Sequence, residues 1–174
     1  MARVLIVGCG CRGRSLARAL LERGHAVRGT TREPQHRAEI ELSGAEPYVG
    51  DPDRVGTLIG ALDGASVACL LLGSAAGTPE ALAALHGSRL QMLLARTIDT
   101  PVRGVVYEAT GTVDAAVLRA GAQRVADACE RFRIPYALLG VEPVAAEAWP
   151  GAAVGAIEAV LDAHRPGIGP DSLR

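Results

Sequence analysis

The chain has 174 residues, of which 49% are hydrophobic and 21% are charged, with a formal net charge of −1. This length suits one hydrophobic core, and we expect a single domain over residues 1–174. The near-neutral charge provides no field to attract nucleic acid, and no early apolar stretch approaches a membrane span or a signal-peptide pattern. We therefore expect a cytoplasmic protein without a nucleic-acid or membrane partner.

The residue types absent from the chain limit its chemistry. All 18 basic residues are arginines, and neither Lys nor Asn occurs. Four cysteines and four histidines show no metal-ligand spacing, so we expect no metal site, reduced cytosolic thiols and surface histidines. They are Cys9, Cys11, Cys69, Cys129, His25, His36, His86 and His164. The first two cysteines either fill a crowded loop or form a redox switch that blocks a nucleotide.

A glycine motif opens the chain. The aliphatic run from Val4 is followed by G-x-G-x-x-G and then by an amphipathic helical pattern. This is the strand, turn and helix context that dinucleotide binding requires. Gly8 permits a tight turn, Gly10 lets the backbone approach the phosphates, and Gly13 lets the helix pack closely on the strand. Free N–H groups at the helix start then face the anion. The candidate cofactor-binding residues of this loop are Gly8, Gly10, Cys11, Arg12 and Gly13.

Strand-like and helix-like segments alternate along the rest of the chain. The predicted strands are Val4–Val7, His25–Thr31, Pro47–Gly50, Val67–Leu72, Gly104–Tyr107 and Pro135–Leu139. The predicted helices are Ser15–Arg23, Gln35–Ser43, one after Asp51-Pro52, Pro79–Leu85, Ser88–Ile98, Ala115–Phe132 and Val154–His164. The alternation predicts an α/β fold with a doubly wound, mainly parallel six-stranded sheet, helices on both faces, and a short C-terminal helical extension from about residue 144.

Two side chains are expected to organise local structure. Asp51 precedes Pro52, which is typical of a helix N-cap followed by proline at the first helical position. The helix that follows is predicted to bury Leu58, Ile59 and Leu62. The only tryptophan, Trp149, is expected to anchor the C-terminal segment on the core.

The end of the second predicted strand bears on cofactor choice. NAD-specific proteins place an acidic residue there, about twenty residues beyond the glycine loop, to bind the ribose 2′-hydroxyl. Residues 28–32 read RGTTR and contain no acid. Arg32 can bind a 2′-phosphate through two guanidinium bonds, and either Thr30 or Thr31 can donate a hydroxyl. Arg12 lies on the same side of the adenosine ribose. NADP(H) is therefore predicted over NAD(H), the alternative being that Arg12 and Arg32 are ordinary solvated arginines.

Three segments carry a family resemblance. They are the opening VLIVGCG with GHAV after the first helix, Val49-Gly50-Asp51, and RIPYALL from Arg133. From Val4 to about Pro143 the chain resembles the extended and atypical short-chain dehydrogenase/reductases, in particular the NAD(P)-dependent epimerase/dehydratase-like proteins. The resemblance implies that Asp51 hydrogen-bonds the adenine amine, in addition to or instead of capping a helix. It also implies that Gly73 and Ser74 lie beside the nicotinamide ribose.

The chain departs from this family in its catalytic residues. Active members use a Tyr and, four residues later, a Lys that lowers the tyrosine pKa. Here there is no Lys, and no Tyr stands near Val113 and Asp114. The resemblance leaves Thr110 as the only positional candidate for the hydroxyl that orients a substrate. Glu108 ends a central strand, where α/β folds bind ligands, and is a candidate general base or ribose contact.

Two functions therefore remain open. One is an atypical reductase that transfers hydride from NADPH to an unknown small molecule with help from Thr110 or Glu108. The other is a non-catalytic module that senses NADP(H) or binds another protein. The predicted helices Ser88–Ile98 and Ala115–Phe132 flank the fifth strand, as in relatives that dimerise through a four-helix bundle. A homodimer is thus one expectation, and the alternative is that these helices only cover the sheet.

Overall fold

Six strands form one parallel sheet in the computed structural model, which describes residues 1–141 and 148–163. They are β1 (Arg3–Val7), β2 (Ala26–Thr31), β3 (Glu46–Val49), β4 (Val67–Leu70), β5 (Val105–Glu108) and β6 (Tyr136–Leu139). Their order is β3-β2-β1-β4-β5-β6, and every neighbouring pair is parallel. This confirms the predicted doubly wound sheet. The chain changes direction across the sheet between β1 and β4, which is where such sheets bind ligands.

Helices cover both faces of the sheet. They are α1 (Cys11–Glu22), α2 (Arg37–Leu42), α3 (Pro79–Ala84), α4 (Leu90–Thr97), α5 (Ala115–Phe132) and α6 (Trp149–Ala163). Alternate residues of β1 point to two separate cores, with Val4 and Ile6 on the side of α1, α2 and α6, and Leu5 and Val7 on the side of α4 and α5. None of the helices in the described part of the chain has the length and apolarity needed to cross a bilayer.

The segment after β3 differs from its prediction. Asp51 does not cap a helix, because its Oδ1 accepts the N–H of Asp53 at 3.0 Å and closes a turn. A 3₁₀-helix over Val55–Leu62 follows instead. Its period of three residues turns Leu58 inward and leaves Ile59 43% exposed, so the prediction that Ile59 is buried was wrong.

Other differences lie on α3 to α4 and at the C-terminus. A π-turn over Leu85–Arg89, with non-helical Gly87, joins α3 to α4 at the predicted break. This turn buries His86, so the expected surface position was wrong for that residue, while His164 lies outside the described residues. Trp149 is buried, which confirms its predicted anchoring role. The start of the predicted extension, residues 144–147, also lies outside the described residues.

Arg28 on β2 links the sheet to the end of the 3₁₀-helix through hydrogen bonds. Its Nη1 donates to the carbonyl oxygens of Ala61 at 2.9 Å and Asp63 at 3.0 Å, and its Nη2 bonds Glu46 at 3.1 Å. These carbonyls end the helix without intrahelical partners of their own. The nearly buried guanidinium therefore stabilises the fold by satisfying them.

Replacing Arg28 by methionine is expected to lower the free energy of unfolding by about 2–4 kcal/mol, because several acceptors lose a charged donor together. Arg3 offers a matched control, since it pairs with the same Glu46 at 2.9 Å in an exposed position. Arg3→Met is expected to change stability by about 0.5 kcal/mol at most. Urea unfolding of both variants measures the difference, and equal losses would contradict the assigned role of Arg28.

Candidate functional site

The turn after β1 has the geometry that its glycines predict. Gly8 has φ +85°, and a Cβ there would lie 2.5 Å from the carbonyl oxygen of Leu71. Thr30 on β2 holds the turn, because its Oγ1 accepts the Gly8 N–H at 3.2 Å and its carbonyl accepts the Cys9 N–H at 2.9 Å. A side chain at position 8 would therefore strain the local backbone and clash with the backbone of Leu71.

Cys9 packs beneath this turn. A Cβ at Gly13 would lie 3.3 Å from its Sγ, and one at Gly29 would lie 2.6 Å from it. Burial raises the pKa of the Cys9 thiol to about 12, although the nearby Arg14 acts in the opposite direction. These contacts favour the packing interpretation of Cys9. Cys11, by contrast, is exposed at the start of α1.

Gly10 leaves an open space at the N-terminus of α1. It is extended, with φ −74°, and provides no side-chain cap for the helix. Apart from its two chain neighbours, none of the described residues has an atom within 4 Å of the place where its Cβ would stand. The N–H groups of the first turn, beginning at Cys11, have no intrahelical partner and carry the positive end of the helix dipole. The space fits a phosphate group of a dinucleotide.

A cleft of about 460 Å³ continues from this space across the carboxyl ends of β1 to β4. Nine predicted site residues line it: Gly8, Gly10, Cys11, Arg12, Gly13, Thr30, Thr31, Arg32 and Ser74. Four others are not among its lining residues: Asp51, Gly73, Glu108 and Thr110. The volume is typical of a small-molecule site.

The β2 end of the cleft contains an exposed arginine and an acid. Arg32 makes no hydrogen bond or ion pair with any of the described residues. Thr31 is turned toward the backbone, where its Oγ1 accepts the Glu33 N–H at 3.2 Å. Glu33 and His36 also line the cleft, and a Glu33 oxygen lies 3.5 Å from the His36 Nε2. Glu33 was not among the predicted site residues, because it lies one residue beyond the segment 28–32 in which an acid was expected.

Asp51 and Gly73 lie just behind the cleft wall. The neighbours of Asp51 on either side, Gly50 and Pro52, line the cleft, while the Asp51 carboxylate is engaged in its own turn. Gly73 lies where the loops after β4 and β5 touch, and a Cβ there would overlap the carbonyl oxygen of Thr110. Both residues thus shape the loops that border the cleft.

Glu108 is completely buried at the end of β5. Its Oε1 accepts from Arg12 Nη2 at 2.6 Å, and its Oε2 accepts the Gly73 N–H at 2.8 Å. Burial raises the pKa of this carboxyl above its ordinary value, while Arg12 and the Gly73 N–H act in the opposite direction. Arg12 also donates to Ser74 Oγ at 3.2 Å and lies over the Trp149 ring, 5.4 Å from its centroid. Arg12 thus reaches toward β5, on the side of the cleft away from Arg32.

Thr110 is engaged in the backbone of the neighbouring loop. Its hydroxyl donates to the carbonyl oxygen of Val141 at 2.9 Å.

His86 and Tyr107 form a second buried pair, in which His86 Nδ1 is 2.7 Å from the Tyr107 hydroxyl. Burial lowers the pKa of His86 and raises that of Tyr107. No group of three or more His, Cys, Asp or Glu side chains in residues 1–141 and 148–163 is arranged to hold a metal.

No family model matches the chain, and no curated protein matches it in sequence. Solved structures match it in fold. UDP-glucuronic acid 4-epimerase from Bacillus cereus in complex with NAD is 16% identical, with a TM-score of 0.66 over 80% of this chain and 56% of that chain. A short-chain dehydrogenase/reductase superfamily protein from Agrobacterium tumefaciens with bound NAD is 18% identical, with a TM-score of 0.65 over 78% and 48%. Citrobacter sp. triphenylmethane reductase complexed with NADP(H) is 19% identical, with a TM-score of 0.59 over 78% and 48%.

The chain spans about half the length of these solved structures. Their likeness shows that it has the Rossmann fold of short-chain dehydrogenase/reductases and epimerases. The fold that the family resemblance implied is therefore confirmed.

Proposed function

We propose that this chain, which shares its fold with nicotinamide-dependent reductases and epimerases, binds a nicotinamide dinucleotide in the cleft at the ends of β1 to β4. The open space at Gly10, next to the unpaired N–H groups of α1, is the observation that carries the proposal. It is supported by the NAD and NADP(H) bound in the similar structures. The pyrophosphate lies against the start of α1, and the adenosine ribose lies toward β2.

NADP(H) is the preferred form in this proposal. Arg32 lines the cleft at the end of β2 and has no partner among the described residues, so its guanidinium is available for a 2′-phosphate. Arg12 is engaged by Glu108, and the Thr31 hydroxyl is engaged by the carbonyl and N–H of Glu33. We therefore assign the 2′-phosphate to Arg32. Glu33 opposes this preference, because its carboxylate lines the same end of the cleft.

Arg32→Ala is expected to weaken NADPH binding by about 1.5–3 kcal/mol and to leave NADH binding nearly unchanged, because only NADPH carries the 2′-phosphate. Glu33→Gln is expected to strengthen NADPH binding, since it removes a repulsive charge. Arg18→Ala, on an exposed position of α1 outside the cleft, is the control. Fluorescence titration of the four proteins with both nucleotides measures these changes. Equal losses for NADPH and NADH in Arg32→Ala would contradict the proposed preference.

A non-catalytic role is the second candidate function, and a specific observation favours it. Neither Thr110 nor Glu108 lines the cleft, and the polar side-chain atoms of both are engaged in hydrogen bonds. A general acid or base must reach the proton that it transfers. In this proposal the protein senses NADP(H) or binds another protein. Oxidation of NADPH with a panel of aldehydes, ketones and quinones separates the two functions, because only a reductase consumes the nucleotide.

A further inference from the structure

Arg12 and Glu108 connect the glycine loop to the end of β5 across 96 positions of the sequence. We propose that Glu108 is a positioning residue, which acts through Arg12 to hold a guanidinium at the β5 side of the dinucleotide cleft. This inference rests on the proposed binding of a nicotinamide dinucleotide. It replaces the expectation that Glu108 serves as a general base or touches a ribose.

Glu108 and Arg12 differ in burial, and this difference gives them different roles. Glu108 has no exposed surface, and each of its oxygens already accepts a hydrogen bond from the protein. The Arg12 side chain is 30% exposed and lines the cleft. A ligand in the cleft can therefore touch Arg12 directly, whereas Glu108 acts on the ligand through the groups that it holds, and Arg12 is the one of these that lines the cleft.

Contacts on several sides fix the Arg12 guanidinium. Nη2 is shared between Glu108 and Ser74, and one face lies over the Trp149 ring. Nε is buried without a partner, and Nη1 makes no hydrogen bond with any described residue. Nη1 is thus the donor that Arg12 offers to an oxygen of the bound dinucleotide. A neutral residue at position 108 would weaken the contact that aims this donor, because a hydrogen bond between two charged groups is about twice as strong as a neutral one.

Within residues 1–141 and 148–163, the charge of Glu108 has one close counterion. The titratable and charged groups that face it are Arg12 from α1, Cys69 from β4 and its neighbour Tyr107 on β5. Burial raises the pKa of both Cys69 and Tyr107, so these two stay uncharged near neutral pH. When the pH falls and Glu108 takes up a proton, the Arg12 guanidinium loses a partner of opposite charge. Because burial raises the pKa of Glu108, this protonation occurs at a pH above the ordinary pKa of a glutamic acid.

A double-mutant cycle on NADH binding tests the positioning role. NADH is used because it has no 2′-phosphate whose own titration would interfere. We expect Glu108→Gln to weaken NADH binding about tenfold, Arg12→Met to weaken it at least as much, and the double variant to bind no more weakly than Arg12→Met alone. Glu158→Gln, which removes the carboxylate of an exposed pair with Arg23, is expected to bind as the wild type does. Unchanged binding by Glu108→Gln, or additive losses in the double variant, would overturn the inference.

Trp149 provides a second readout that needs no ligand. It is the only tryptophan of the chain, and its ring contacts Arg12. In the free protein we expect a pH-dependent change in Trp149 emission for the wild type and Glu158→Gln, with a midpoint above 4.5, the ordinary pKa of a glutamic acid. The change should be absent from Glu108→Gln and Arg12→Met. An identical transition in Glu108→Gln would overturn the inference. If no protein binds NADH but the transition follows Glu108, the proposed function fails and the Glu108 to Arg12 coupling stands.

Discussion

Replacement of Gly10 by alanine is expected to weaken binding of both NADPH and NADH at least tenfold while the protein stays folded. The position has φ −74°, and apart from the two chain neighbours no described residue lies within 4 Å of the added methyl group. The substitution therefore causes neither backbone strain nor a clash with these residues. The methyl group instead occupies the space assigned to the pyrophosphate. Exchange of glycine for alanine at a helix N-cap should cost less than about 1 kcal/mol of stability.

Gly56→Ala is the matched control for this substitution. Gly56 likewise has no atom of a described residue, other than its chain neighbours, within 4 Å of its Cβ position, and it does not line the cleft. Calorimetric titration and urea unfolding of both variants separate binding from stability. Wild-type affinity in Gly10→Ala would contradict the assignment of the pyrophosphate to this space.

Gly73→Ala is expected to have the largest effect on stability, a loss of about 3 kcal/mol or more in the free energy of unfolding. The added methyl group would overlap the carbonyl oxygen of Thr110 and lie 3.0 Å from the Glu108 side chain. A shift of the Gly73 backbone would not relieve this overlap without cost, because the Val113 N–H donates to the Gly73 carbonyl at 3.0 Å and joins the same two loops.

The control for Gly73→Ala is Gly77→Ala in the same connection. A Cβ at Gly77 would make ordinary contacts of 3.5 Å with Ala81 and 3.7 Å with Leu82. Urea unfolding should show that Gly77→Ala changes stability by about 0.5 kcal/mol at most. Equal stability of the two variants would mean that the loops after β4 and β5 separate more easily than their contacts indicate.

Most of the fold could be predicted from the sequence because its signals are local. The aliphatic runs of β1 and β4 and the periodicity of α5, predicted and found at Ala115–Phe132, depend on neighbouring residues alone. The helix N-cap predicted at Asp51 was wrong, because an Asp-Pro dipeptide suits an Asx turn as well as a helix start. The homodimer through α4 and α5 stays a prediction.

The same distinction between local and long-range signals applies to the candidate site. The glycine loop could be predicted because its strand, turn and helix are contiguous, as the positive φ of Gly8 and the open space at Gly10 illustrate. The pairing of Arg12 with Glu108 could not, because only the packing of β1, β4 and β5 brings the two residues together. The burial of His86 beside Tyr107 likewise depends on how α3 and α4 pack.

Isothermal titration calorimetry of the purified chain with NADPH, NADP⁺, NADH and NAD⁺ tests whether the cleft binds a nicotinamide dinucleotide. We expect one binding site per chain, with NADP(H) bound more tightly than NAD(H). A nucleotide present at a hundred times its Kd should also stabilise the fold by about 2.7 kcal/mol, a gain that Gly10→Ala should lose. Absence of binding heat with all four nucleotides at millimolar concentration, for a protein shown to be folded, would contradict the proposed binding of a dinucleotide.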